Sequence, residues 1–308
     1  MIYGNTQSLF YELFYELILN PKLELLIFIE LKSMILNEII TEIEKLDNEQ
    51  LSKNYEKYEH VFNNFPKMVA APIYFPLFFY RIRIANGTID EMSPFSFSYK
   101  PESLNPEMNR LNLSGESVFY ASIYPHTAIR ELCIQPNTEF YLSKWTIDES
   151  ARLSLYRFFT PQELIKNPKA SAVISYVDST RHDGTTILLS MISNKLTSNI
   201  ENRNEYNFTA LYASYLRRRR NLWVKDEDGN DIKMKFDGFI YKSVKSNNSD
   251  ELNLAFFPDV IDKWANLDYV LKGTINDLYS TITAFKGVYN GKDILWSKTK
   301  EEYKLKNL

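Results

Sequence analysis

The chain has 308 residues, 44% of them apolar, with 20 Phe and 21 Tyr. That suits one large domain, or one domain with an appendage, able to bury about three quarters of its unfolded surface without staples. A net charge of −3 gives no global basic field for nucleic acid. The single cysteine, Cys133, leaves no internal disulfide or thiolate zinc site, and His60, His126 and His182 lack any HExxH or HxH spacing, so no metal centre is expected.

No signal-peptide pattern opens the sequence, and the longest apolar stretch, Leu25–Leu36, is interrupted by Glu30 and Lys32. The expectation is a cytoplasmic protein with no membrane span. Cys133, between Leu132 and Ile134, reads as a small core residue.

Residues 7–66 carry helical periodicity. Phe10, Leu13, Phe14, Leu17 and Ile18 form one stripe, Asn20-Pro21 breaks it, and Leu25 through Leu46 form a second. A third helix is expected before Phe65-Pro66. The stripe must be covered, either by the rest of the chain or by a second copy, which makes a homo-oligomer through these helices one expectation.

After Pro66 the character changes. Ile73–Ile84 is rich in aromatic and β-branched residues and predicts a strand. Ser93–Pro106 predicts a long loop, Ser117–Ser122 a short buried strand, Pro125–Leu132 a helix, and Phe140–Ile147 a strand. Thr160-Pro161-Gln162-Glu163 has the form of a capping box opening a helix, while 170–195 does not decide between helix and strand.

Tyr206–Arg220 predicts a helix ending in four arginines, a solvated helix end in preference to a phosphate or RNA contact. Phe236–Tyr241 predicts a turn into a strand, Asn253–Phe257 a strand, and 266–308 further strands. With no βαβ rhythm the class is α+β. The expected division is a helical region over 1–70, a catalytic domain over 71–265, and a strand-like extension over 266–308 that packs on it.

Chemistry concentrates between Phe79 and Leu132. Tyr80-Arg81 comes first, followed by Asn109-Arg110-Leu111-Asn112 with Gly115 after it. Phe119-Tyr120-Ala121 and Ala128-Ile129-Arg130-Glu131 come next, and far downstream stands Asp237-Gly238-Phe239-Ile240-Tyr241-Lys242-Ser243, ahead of Asn253-Leu254-Ala255. The order resembles the RES domain family, over about residues 75–260. Asn109 stands where the family has glycine; asparagine tolerates positive φ, which would preserve the turn. Leu111 stands where the family has a bulkier residue.

The resemblance implies an ADP-ribosyltransferase-like mixed sheet with flanking helices, NAD⁺ as substrate, and no cofactor. It implies Glu131 and Arg81 as catalytic residues, with Arg110, Tyr120, Ser243, Tyr80 and Asn112 binding substrate. The residue types suit that chemistry. A guanidinium grips a diphosphate in bidentate fashion. A carboxylate stabilises an oxocarbenium-like ribose, as in glycosidases. Tyr120 is suited to stack on nicotinamide or bond a ribose hydroxyl, and Ser243 to position a phosphate or ribose oxygen.

The reading that follows is a toxin that cleaves the nicotinamide–ribose bond by hydrolysis or phosphorolysis, in a toxin–antitoxin or phage-defence setting, with a neutralising antitoxin protein as a partner. Three alternatives stand beside it. One is a protein ADP-ribosyltransferase using the same pocket. Another is a nucleotide-sensing module without turnover, which the presence of Glu131 disfavours. The last is a helical interaction protein, which leaves the Arg/Tyr/Glu/Ser order unexplained.

Overall fold

A computed structural model describes Met34 and residues 37–46, 50–51, 55–62, 77–87, 89–158, 191–198, 203–225, 231–245, 251–276 and 280–308. The expected first helix and the capping box at Thr160 lie outside these residues.

The fold is α+β, built, among the described residues, on a mixed sheet of ten strands. In chain order the strands are β1 (Phe78–Ile84), β2 (Phe119–Ser122), β3 (Glu139–Ile147), β4 (Leu155–Arg157), β5 (Asn221–Lys225), β6 (Asp231–Lys235), β7 (Gly238–Lys242), β8 (Leu252–Phe256), β9 (Ala265–Ile275), β10 (Thr281–Tyr289), β11 (Ile294–Trp296) and β12 (Glu301–Lys304). The sheet runs β11-β10-β9-β3-β1-β2-β8-β7-β4, with β12 beside β10. Every pairing is antiparallel except β4 with β7. β5 and β6 form a separate two-stranded ribbon, joined through the charged segment 226–230, whose charges hid both strands from the sequence.

The strands beyond 265 belong to the same sheet. β9 lies between β3 and β10, paired with β3 from Glu139↔Thr274 to Ile147↔Ala265. The long loop after β1 holds two short 3₁₀ turns, Pro94–Phe97 and Glu102–Leu104.

The labelled helices are α1 (Tyr55–Phe62), α2 (Pro125–Glu131), α3 (Asn207–Arg218) and α4 (Pro258–Trp264); residues 37–44 and 191–197 are also helical. α2 and α4 both begin with proline at the first helical positions, where its missing N–H costs nothing. Among the described residues no helix is long and apolar enough to cross a membrane.

The main core wraps α3, whose residues Asn207 through Leu216 are all buried. Phe62 of α1 packs against Phe208, Tyr212 and Tyr215, with ring centroids 6.0, 5.4 and 5.4 Å away. The amide of Asn207 donates to the carbonyls of Ile43 and Leu46 at 3.0 and 2.6 Å, satisfying two carbonyls at the end of the 37–44 helix. Ile40, Ile43, Leu51, Tyr58 and Phe62 therefore belong to the same core as the sheet, and the described part of the N-terminal stripe is covered within the chain. A second cluster, on the opposite face of the sheet, joins Tyr80, Phe140, Leu142, Leu271 and Ile282 to Ala128 and Ile129 of α2.

Cys133 is not in the core. It is exposed, at φ 50°, just past the end of α2. The apolar neighbours suggested burial, but the helix stops at Glu131 and the chain turns there in the left-handed region that commonly ends helices.

Candidate active site

β1 and β2 are hydrogen-bonded neighbours at one register position alone, Tyr80↔Ser122. Beyond it β1 continues on β3 through Ile84, and β2 continues on β8 through Phe119, so the two strands part. Between them lies a cavity of about 610 Å³, walled by Arg81, Ile82, Arg83 and Ile84 on one side and by Tyr120, Ala121 and Ser122 on the other. That volume is within the ~300–1,000 Å³ common for small-molecule sites.

Splayed strands leave main-chain groups without ladder partners, and here a side chain supplies one. Arg81 reaches across the split and donates through Nη1 to the carbonyl of Tyr120 at 2.8 Å. Its guanidinium lies 4.9 Å from the ring centre of Phe119, and its Nε is buried without a partner. Burial, reinforced by the like charge of Arg83, pulls the Arg81 pKa down to about 9. Arg83, two residues along the same strand face, donates to the carbonyl of Ser98 at 2.6 Å. Burial lowers its pKa as well.

Arg110 sits at the tip of a tight turn closed by Asn109 N–H to Asn112 O at 3.1 Å and Asn112 N–H to Asn109 O at 3.3 Å. Asn109 keeps a negative φ, so this turn does not need the glycine of the family pattern; the positive φ falls at Gly115, at 80°. The guanidinium of Arg110 lies 5.2 Å from the ring centre of Tyr206 and reaches the carbonyl of Ser198 at 3.4 Å.

Tyr120 and Asn112 hold this turn in place. The Tyr120 hydroxyl donates to Asn112 Oδ1 at 2.9 Å and accepts from the Leu111 N–H at 3.0 Å. The Asn112 amide donates to the carbonyls of Glu107 and Leu113. Both residues line the cavity, but their polar atoms are committed to the loop that carries Arg110. Burial raises the Tyr120 pKa well above its usual value, so the phenol stays a donor.

Glu131, the last residue of α2, lines the cavity with Oε1 held by three donors. The Ser243 hydroxyl makes a short hydrogen bond to it, the Asn253 amide donates at 2.8 Å, and the Val244 N–H at 3.2 Å. Nothing among the described residues donates to Oε2, which leaves that oxygen free to act. Ser243 is 1% exposed and does not line the cavity. The structure sets its hydroxyl against the Glu131 carboxylate, just past the end of β7.

Tyr80 contributes to the wall, but its hydroxyl donates to the carbonyl of Leu308. Asn253, Tyr241 and Arg83 were not picked out as site residues from the sequence. Asn253 links Ser122 Oγ, at 2.6 Å, to Glu131. Tyr241 is buried in the wall, its pKa raised by burial first and by the charge of Glu131 second. The alternation of Arg81 and Arg83 along β1 was the available signal for Arg83.

The Asp237-Gly238 step has a packing explanation. A Cβ on Gly238 would lie 2.4 Å from the Ala255 carbonyl and 2.9 Å from Phe256 Cα. Only glycine lets β7 lie this close to β8, which carries Asn253 to Glu131. Asp237 accepts from Ser154 N–H at 3.1 Å and lies 3.7 Å from Arg220.

The sequence was compared with known proteins. No curated protein matches it, and no solved structure does. The RES domain family matches over residues 78–271, a span that takes in Arg81, Arg110, Tyr120, Glu131, Ser243 and Asn253. Matched over nearly two thirds of its length, the chain belongs to the RES domain family, which is linked to toxin–antitoxin systems and to NAD⁺ processing.

Proposed function

We propose that the chain is a toxin that cleaves the nicotinamide–ribose bond of NAD⁺, passing the ADP-ribosyl group to water or to inorganic phosphate. One observation carries this reading. Arg81, Arg83 and Arg110 line the same cleft as Glu131, and among the described residues none of the three has a carboxylate partner. By contrast, Arg130 is neutralised by Glu251 and Arg220 by Asp259. Uncompensated guanidinium groups in a cleft favour an anionic ligand, and a diphosphate matches their fork of donors.

In this reading Arg81 and Arg110 hold the diphosphate. The glycosidic C–N bond breaks with its electron pair leaving on nicotinamide, which becomes neutral. Positive charge grows on the ribose, and the Glu131 carboxylate stabilises it through the oxygen that carries no donor. Ser243 and Asn253 fix the carboxylate so that little reorganisation is needed. An oxygen of water or phosphate then bonds to the ribose carbon and releases its proton.

The test is direct. Pure protein incubated with NAD⁺ yields nicotinamide and ADP-ribose, or the phosphorylated sugar when phosphate is supplied, as identified by mass spectrometry. Production of the chain in cells lowers NAD⁺ and stops growth. Intact NAD⁺ after prolonged incubation with folded protein overturns the reading.

A further inference from the structure

The cleft holds more positive charge than NAD⁺ can use. Arg81, Arg83, Lys100 and Arg110 line it against two carboxylates, Glu107 and Glu131, an excess of two positive charges. NAD⁺ offsets only one, since its nicotinamide ring cancels half of the diphosphate charge. Like Arg83, Lys100 has no carboxylate partner among the described residues.

Its place at the rim is fixed by the backbone around it. The Ser98 carbonyl accepts from Arg83 at 2.6 Å, Tyr99 OH donates to Asp262 at 2.7 and 2.9 Å, and the Lys100 carbonyl accepts from the Ser117 hydroxyl. Arg83 is therefore tied to the segment that presents Lys100. With its remaining N–H groups uncommitted, Arg83 adds a fork of donors to the cleft that Lys100 also lines two residues beyond the Ser98 anchor, and a guanidinium with an ammonium is a pairing that recognises a phosphate.

We propose that Arg83 and Lys100 form a third phosphate subsite, beyond the two phosphates of the dinucleotide bridge. A phosphate there carries about −1.5 to −2 at pH 7 and takes up the surplus charge. Two sources have this chemistry: the 2′-phosphate of NADP⁺, or inorganic phosphate poised as acceptor. The inference rests on the dinucleotide-cleaving reading above, and the experiment separates the two.

Initial rates are measured with NAD⁺ and NADP⁺, each with and without inorganic phosphate, for the parent, Arg83→Gln and Lys100→Ala. If the subsite reads the nucleotide, the ratio of kcat/KM for NADP⁺ over NAD⁺ falls about tenfold in either variant, the size of one lost charged contact. If it holds free phosphate, phosphate accelerates the parent, and the KM for phosphate rises about tenfold in the variants, by the same reasoning. Lys100 is exposed, so Lys100→Ala keeps the test sound if Arg83→Gln folds poorly. Equal effects on every substrate, or none, overturn the subsite.

If the parent turns over neither dinucleotide, the functional reading fails, and calorimetry with adenosine 2′,5′-bisphosphate, AMP and inorganic phosphate decides the subsite alone. It stands if the bisphosphate binds more tightly than AMP, or if phosphate itself binds, and that preference is lost in the variants. It falls if neither is seen.

Discussion

Ser243 lies outside the cleft yet donates its hydroxyl proton to the oxygen of Glu131 that also accepts from Asn253. Ser243→Ala removes this donor without touching the ligand. A hydrogen bond to a charged group contributes about 1.5–3 kcal/mol, so kcat on NAD⁺ is expected to fall about tenfold or more. KM moves little. Steady-state kinetics paired with a thermal melt check it, and a rise in KM with unchanged kcat would place Ser243 in binding instead.

Glu131→Gln keeps the size of the side chain and removes its charge. The expected loss in turnover is about a hundredfold, roughly 3 kcal/mol of transition-state stabilisation. Binding of NAD⁺, read by calorimetry, stays close to the parent. Turnover at the parent rate in a variant with the parent melting temperature would falsify the assignment of Glu131.

Arg81→Lys tests a different function of charge. Lysine keeps the positive charge but has no planar fork, and cannot reach both the Tyr120 carbonyl and a phosphate. KM for NAD⁺ rises about tenfold or more, as expected for loss of a charged hydrogen bond. The carbonyl left open at the strand split also lowers the melting temperature. An unaltered KM would move the diphosphate away from Arg81.

Tyr120→Phe leaves the Leu111 N–H and Asn112 Oδ1 without their shared partner. Unsatisfied buried groups cost about 1–3 kcal/mol each. Urea unfolding is expected to show a loss in that range, and KM to rise as the Arg110 turn loosens, with kcat less affected. Equal stability in the variant would mean that the turn holds without the phenol.

Gly238→Ala forces a Cβ against the main chain of β8. Overpacking a closed site costs about 1–3 kcal/mol or more. The variant is expected to melt well below the parent or to be insoluble. A variant as stable as the parent would show that β7 and β8 can part at no cost.

Much of the sheet was legible because its strands announce themselves locally. Phe78–Ile84, Phe119–Ser122, Glu139–Ile147 and Leu252–Phe256 are apolar or β-branched runs, and their positions agree with expectation within a few residues. Arg81, Arg110, Tyr120 and Glu131, which line one cleft, stand out in the sequence through their order, not through any physical signal at one position. What could not be read is what depends on pairing. Nothing in Arg81 or Tyr120 tells that β1 and β2 separate, since one register pair replaces a ladder only in three dimensions. Asn253 looks like one polar residue in a strand until β8 sets it beside Ser122 and Glu131. The ribbon β5–β6 and the helix α4 escaped for local reasons, a run of charges in one case and a single turn-like Phe257-Pro258 in the other.

The position of β9 bears on how the chain is made. β3 ends at Ile147 and meets its neighbour β9 only after residue 265, and β2 meets β8 after residue 252. Contacts so distant in sequence close late, because loop entropy must be overcome before they form. A chain emerging from the ribosome therefore has β1, β2 and α2 outside long before Asn253 arrives to hold Glu131. From the synthesis of Glu131 until that of Ser243 the arginines are present but the carboxylate has no anchor. Under the proposed function, the order of the strands keeps the site incomplete in the nascent chain, and it is whole only in the finished one.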